Sequence, residues 1–176
     1  AAMANKIADK DALLALEIDG RSIADLITDR SGITGEKMEL GFYEVVNGAA
    51  TVAYIHPGNK LATVVAFNEA LDAQVAREVA MQVAAMNPIA VNRAEVPANI
   101  IATELEVGRE KARQEGKPEA MLDKIAEGRL NKFYKESTLL EQDFIKDAKV
   151  SVQQYLKQVS ASLTATAFKR VTLNEE

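Results

Sequence analysis

Thr51-Val52-Ala53-Tyr54-Ile55-His56-Pro57-Gly58-Asn59-Lys60-Leu61-Ala62-Thr63-Val64-Val65-Ala66-Phe67 decides the fold class. Two runs rich in β-branched and aromatic residues flank Pro57-Gly58-Asn59, whose residue types favour a tight turn. The stretch therefore predicts an antiparallel hairpin. Upstream, Met38, Leu40 and Phe42 alternate with polar or small residues. Asn47-Gly48 is a second turn signal. The expectation is a meander of three sequential strands within residues 38–67.

The period then changes. Asn68 is placed to cap a helix in which Val75, Val79 and Val83 recur at every fourth residue, with Ala76, Ala80 and Ala84 beside them. The small alanines predict close packing on the sheet, and Met86-Asn87-Pro88 stops the helix. Towards the N-terminus, two short helices are expected, Asp9 to Glu17 ending at Asp19-Gly20, and Ser22 to Arg30 followed by breaks at Ser31-Gly32 and Gly35.

Past a connector at Asn92 to Pro97, residues 98–133 predict two helices reversing at Gly116-Lys117-Pro118. The first is thinly apolar, with Ile101, Leu105, Gly108 and Ala112, which predicts an arm projecting from the body. Ser151 and Gln154 fit a capping box, and Leu163 to Leu173 predicts one strand or a bent pair. The fold class is thus α+β. It has two small helix-plus-antiparallel-sheet subdomains, residues 1–87 and 88–176, the second carrying the projecting helical hairpin.

The 176 residues carry a formal net charge of −5. All of that excess lies in residues 1–87, so no basic surface of the kind that binds a phosphate backbone is expected, and a protein partner is favoured. There are no cysteines, which removes disulfides and thiolate chemistry and fits a reducing, cytoplasmic setting. No run is long and apolar enough to predict a membrane span. No enzyme centre emerges: Ser22, Ser31 and Ser151 have no nearby base, and the glycines do not make a phosphate cradle. His56, the single histidine, has no companion metal ligands. It reads as a turn histidine or as an exposed contact for a partner. No metal or cofactor is expected. Arg109, Lys111 and Arg113 are balanced by nearby glutamates, so helical ion pairs account for them.

Three blocks carry a resemblance. They are Ala80-Met81-Gln82-Val83-Ala84-Ala85-Met86-Asn87-Pro88; Glu115-Gly116-Lys117-Pro118-Glu119 continuing through Lys124-Ile125-Ala126-Glu127-Gly128-Arg129-Leu130-Asn131-Lys132-Phe133; and Leu139-Leu140-Glu141-Gln142-Asp143-Phe144 after Glu136. With the looser Tyr54-Ile55-His56-Pro57-Gly58, they resemble the dimerisation region of bacterial elongation factor Ts. The resemblance implies action by protein contact: binding elongation factor Tu so that GDP leaves and GTP can enter. It assigns Thr34 and Gly35 to a connector that touches the partner's GTPase domain and His56 to a turn that helps hold the partner. It also assigns Gly116 and Pro118, at the turn of the projecting arm, to partner binding, while Gly128 serves packing and Asn87 helix termination. A homodimer stands beside elongation factor Tu as an assembly the resemblance allows.

Two departures accompany it. The family's Ile-Gly-Glu-Asn reads Thr34-Gly35-Glu36-Lys37 here, and neither its small helical domain nor its Thr-Asp-Phe-Val motif occurs in this sequence, which opens after the place where both would stand. The expectation is a chain that binds elongation factor Tu but promotes exchange weakly. The competing expectation is an α+β adaptor for some other protein.

Overall fold

The computed structural model describes residues 1–173. The chain divides into two compact units, Ala1–Val45 and the remainder from Val46. The boundary expected after Asn87 falls inside the second. The fold is α+β, with small antiparallel sheets among the described residues.

In the first unit, α1 (Lys10–Ala15) starts at Asp9, whose side chain accepts from the Ala12 N–H at 2.8 Å. β1 (Glu17–Ile18) and β2 (Arg21–Ser22) form a hairpin whose two turn residues, Asp19 and Gly20, have φ of 52° and 77°. Asp-Gly is the pair that a two-residue hairpin turn with positive φ at both positions favours. Asp19-Gly20 therefore reverses a hairpin rather than ending a helix. Ser22 caps α2 (Ile23–Thr34), which runs through Ser31-Gly32 and stops at Gly35 in the left-handed region, φ 73°. The expected break thus comes at Gly35 and not at Ser31-Gly32. No residue of this unit is buried.

The second unit is built on a three-stranded sheet of β3 (Ala50–Ile55), β4 (Leu61–Phe67) and a strand from the far end of the chain, Ala165–Thr172. The β3–β4 hairpin turns at Pro57-Gly58-Asn59 as the sequence predicts: His56 N–H donates to Leu61 O at 2.9 Å, and Asn59 N–H to His56 O at 3.0 Å. The third expected strand does not form. Met38–Val46 has no strand structure; its Glu39, Gly41 and Glu44 are residue types that weaken a strand. The other side of β4 pairs with Ala165–Thr172 instead, from Leu61 opposite Thr172 to Phe67 opposite Ala165. Gly48 is not the reversal of a hairpin. A Cβ there would lie 2.8 Å from the Ala66 Cβ, so glycine serves close approach to β4.

α3 (Ala73–Met86) covers the sheet. Ala76, Val79, Ala80, Val83 and Ala84 are buried in one core with Tyr54, Val65 and Phe67, so the alanine line packs as expected. Its N-cap is Asp72, which accepts from the Gln74 and Val75 N–H groups. Asn68, expected in that role, instead spans to residues 162 and 164: its side chain donates to Ser162 O at 2.8 Å and accepts from Thr164 N at 2.8 Å. Asn87 ends α3 with φ 43°.

The arm comprises α4 (Ala98–Gln114) and α5 (Leu122–Ser137), reversing through Gly116, φ 71°, and a 3-10 turn at Glu119–Met121. The two helices pack principally on each other. α4 buries only Gly108 and Ala112, against six buried residues on α3, in line with a projecting arm. A Cβ on Gly108 would come 3.0 Å from the Ala126 Cα, which marks the closest crossing. Gly128 faces open space, so it does not serve packing within the chain. The hairpin β5 (Asp143–Phe144) and β6 (Asp147–Ser151) follows, then α6 (Val152–Val159), with the Ser151–Gln154 capping box present. β7 is the single strand Ala165–Thr172. Leu139, Leu140, Phe144, Val152, Leu156 and Leu163 join the core of the sheet and α3.

Candidate partner-binding surface

His56 directly follows β3 where the hairpin turns, and it is exposed. Two residues earlier on the same side of the strand, Tyr54 is buried, and its hydroxyl lies 3.0 Å from His56 Nδ1. The Arg77 guanidinium sits 5.1 Å over the Tyr54 ring. His56 borders an apolar recess of about 250 Å³ formed with Tyr54, Leu61, Met81, Ala84 and Ile145. Exposed Ile55 and Ile145 lie near this end of the sheet. A ring nitrogen beside an apolar recess suits an apolar side chain that carries a polar neighbour. The Tyr54 anchor was not anticipated, although the i, i+2 spacing on a strand is its signal.

Thr34 and Gly35 lie in the first unit, where α2 ends. Thr34 Oγ1 donates to Arg30 O at 2.9 Å, and both residues are exposed. Gly35 N–H donates to Ser31 O at 2.9 Å, closing the helix. Gly116 and Pro118 are exposed at the tip of the arm, where Lys117 N–H donates to Ala112 O at 3.1 Å. His56 and the arm tip thus stand on different elements, a strand end and a helical turn.

The arm's arginines are held by its own acids. Arg109 pairs with Asp123 at 2.6 Å, Arg129 with Glu115 at 2.6 Å and Arg113 with Glu119 at 3.2 Å, each joining one side of the hairpin to the other. Hydrogen bonding to Asp123 raises the Arg109 pKa, and hydrogen bonding to Glu119 raises that of Arg113. These pairs go beyond the within-helix balance expected from sequence. Elsewhere, Glu78 Oε1 accepts from Lys146 at 2.6 Å and Oε2 from the Tyr155 hydroxyl at 2.6 Å. These bonds, with one from Gln74, lower the Glu78 pKa to about 2. Among the described residues, no group of three or more acids and histidines is placed to hold a metal ion, and no helix is long and apolar enough to cross a membrane.

The family model described as Elongation factor TS matches residues 1–175. The chain belongs to the elongation factor Ts family. The elongation factor Ts of Porphyromonas gingivalis strain ATCC 33277 is 59% identical over 176 residues, covering 99% of this chain and 64% of that relative. That of Azobacteroides pseudotrichonymphae is 57% identical over 92% of this chain and 59% of its own length. That of Flavobacterium psychrophilum is 47% identical over 94% and 61%. The chain therefore spans less than two thirds of these elongation factor Ts relatives.

Proposed function

We propose that this chain binds elongation factor Tu and weakens its hold on GDP during translation elongation. The observation that carries this reading is the family match running from residue 1 to residue 175. Exposure of every sequence-assigned contact, Thr34, Gly35, His56, Gly116 and Pro118, supports it, because a contact residue must be reachable. The linkage is thermodynamic. A protein that binds the nucleotide-free partner best must lower that partner's nucleotide affinity by the same factor. The action is by contact and not by covalent chemistry, and its setting is the cytoplasm, where translation factors work.

Exchange requires contacts that favour one state of the partner over another. The sequence contains no Thr-Asp-Phe-Val motif, the family's wedge near the partner's magnesium site. The 176-residue chain on its own therefore binds elongation factor Tu measurably but speeds GDP release far less than a family member carrying that motif. Stopped-flow release of a fluorescent GDP analogue, paired with calorimetric affinity, tests this. Release as fast as with such a member would refute the division between binding and exchange, and absence of binding would refute the partner. Sedimentation without elongation factor Tu tests the homodimer.

A further inference from the structure

We propose that Arg93 is a positioning residue for the α4–α5 arm, setting the direction from which the arm's tip meets its partner. The inference rests on the reading above that the arm touches elongation factor Tu. Arg93 lies in the 3-10 turn Arg93–Glu95, on the stretch that leads from the body into α4. Its guanidinium makes contacts on three sides at once. Nε and Nη2 donate to the two carboxylate oxygens of Glu141, the latter at 2.6 Å. Nη1 donates to Asn131 Oδ1 at 2.7 Å. The group lies 4.9 Å from the centre of the Tyr134 ring. One side chain thereby joins the entry to the arm, the returning helix, and the segment that follows the arm.

A second set of bonds holds the root of the arm. Ile89 N–H donates to Ser137 O at 2.9 Å, Leu139 N–H to Ala90 O at 2.9 Å and Leu140 N–H to Val91 O at 3.0 Å. These backbone bonds pin the two segments together where α5 ends, at Ser137. Asn131 and Tyr134 lie one to two turns further up the arm. The backbone ladder therefore acts as a pin and Arg93 as a brace above it.

Exposure separates this role from one in stability. The Arg93 and Glu141 side chains are 42% and 25% exposed, and pairs that open to solvent contribute little to folding. Their geometric effect is larger. The 17 residues of α4 span about 25 Å at 1.5 Å per residue, so a tilt of about 10° at the base moves the tip by about 4 Å. Lysine cannot replace this brace. It keeps the charge but lacks the planar fork that engages a carboxylate, an amide and a ring together.

The chain has no cysteines, so spin labels can be placed at Lys117→Cys on the tip and Lys157→Cys on α6 without background. Electron–electron distance distributions are then compared for the parent, Arg93→Lys and Arg93→Ala, with circular dichroism to verify the fold. The expected result is a distribution about twofold wider in both variants, the lysine giving no rescue. In unlabelled protein, the association rate with elongation factor Tu is expected to fall by about three- to tenfold. Distributions in Arg93→Lys that superimpose on the parent's would overturn the proposal. Widening with unchanged association upholds the brace and removes the arm from the partner interface, so the two readings fail separately.

Discussion

The side chains of Gln82 and Gln142 meet in the core, Gln82 Nε2 donating to Gln142 Oε1 at 3.2 Å. They are 0% and 1% exposed. Gln82 also donates to Asp143 O at 3.1 Å and accepts from Ile145 N–H at 2.8 Å. Gln142 in turn donates to Glu136 O at 2.9 Å. The pair fastens α3 to the end of the arm and to the β5–β6 hairpin without an unmatched polar atom.

Replacing Gln82 by leucine keeps the bulk but strands the Gln142 oxygen in the core and the Ile145 N–H in a part-buried site. The expected cost is about 2–4 kcal/mol, since each unpaired buried group costs about 1–3 kcal/mol. Chemical denaturation measures it. A loss below about 0.5 kcal/mol would mean that water reaches these groups.

The fold was legible where the signals are local. Pro57-Gly58-Asn59, the Ser151–Gln154 box and the arm's turn at Gly116 all act within a few residues. It was not legible where partners are distant. Nothing near Leu61 says that its neighbour is Thr172 and not a residue of Met38–Val46; burial of β4 between two strands decides that. Asn47-Gly48 misled because glycine has two uses, positive φ and close approach, and the sequence does not distinguish them. At the candidate surface, the exposure of His56 was readable from its turn. The Arg93 cluster was not, because Asn131 and Glu141 reach it from 38 and 48 residues away.

Glu78 makes stability depend on acid. Its pKa is about 2 against an ordinary 4.5, held down first by the Lys146 hydrogen bond and then by Tyr155. Folding therefore favours the ionised form. The stabilisation is complete above about 4.5 and is lost as pH falls towards about 2. Glu78 is 12% exposed but Lys146 is 46% exposed, so the screened contribution is about 1–2 kcal/mol. Denaturation midpoints across that window should show a step that Glu78→Gln removes. The same step in Glu78→Gln would assign it to other carboxylates.

Two helix glycines should respond differently to alanine. Gly128 faces open space, so Gly128→Ala gains helix propensity and stabilises by about 0.5–1 kcal/mol. At Gly108 the same gain meets the Ala126 backbone at 3.0 Å. The helices must separate, so Gly108→Ala is expected to be neutral or to destabilise by up to about 1 kcal/mol, and Gly108→Leu by about 1–3 kcal/mol. Thermal melts rank the three, and a stabilised Gly108→Leu would show that the crossing is loose.

His56 separates holding the fold from holding the partner. It is exposed, and its side-chain hydrogen bond within the chain is to the Tyr54 hydroxyl at 3.0 Å. His56→Ala removes that bond next to a recess open to water, which costs about 0.5–1 kcal/mol. A domain of this size would then melt about 1–4 °C lower. If His56 contacts elongation factor Tu, truncating it should weaken binding by about tenfold, the effect of about 1.4 kcal/mol at an interface. His56→Gln sharpens the comparison. Its amide can reach Tyr54 and restore the internal bond, but it lacks the ring that the recess presents to a partner. The expected pattern is therefore recovered thermal stability with affinity still low. Calorimetric titration of elongation factor Tu alongside melting curves reads both quantities. If affinity returns with stability in His56→Gln, the histidine acts through Tyr54 and the sheet end, and the contact assignment fails. If neither variant changes affinity, the recess at this end of the sheet lies outside the interface.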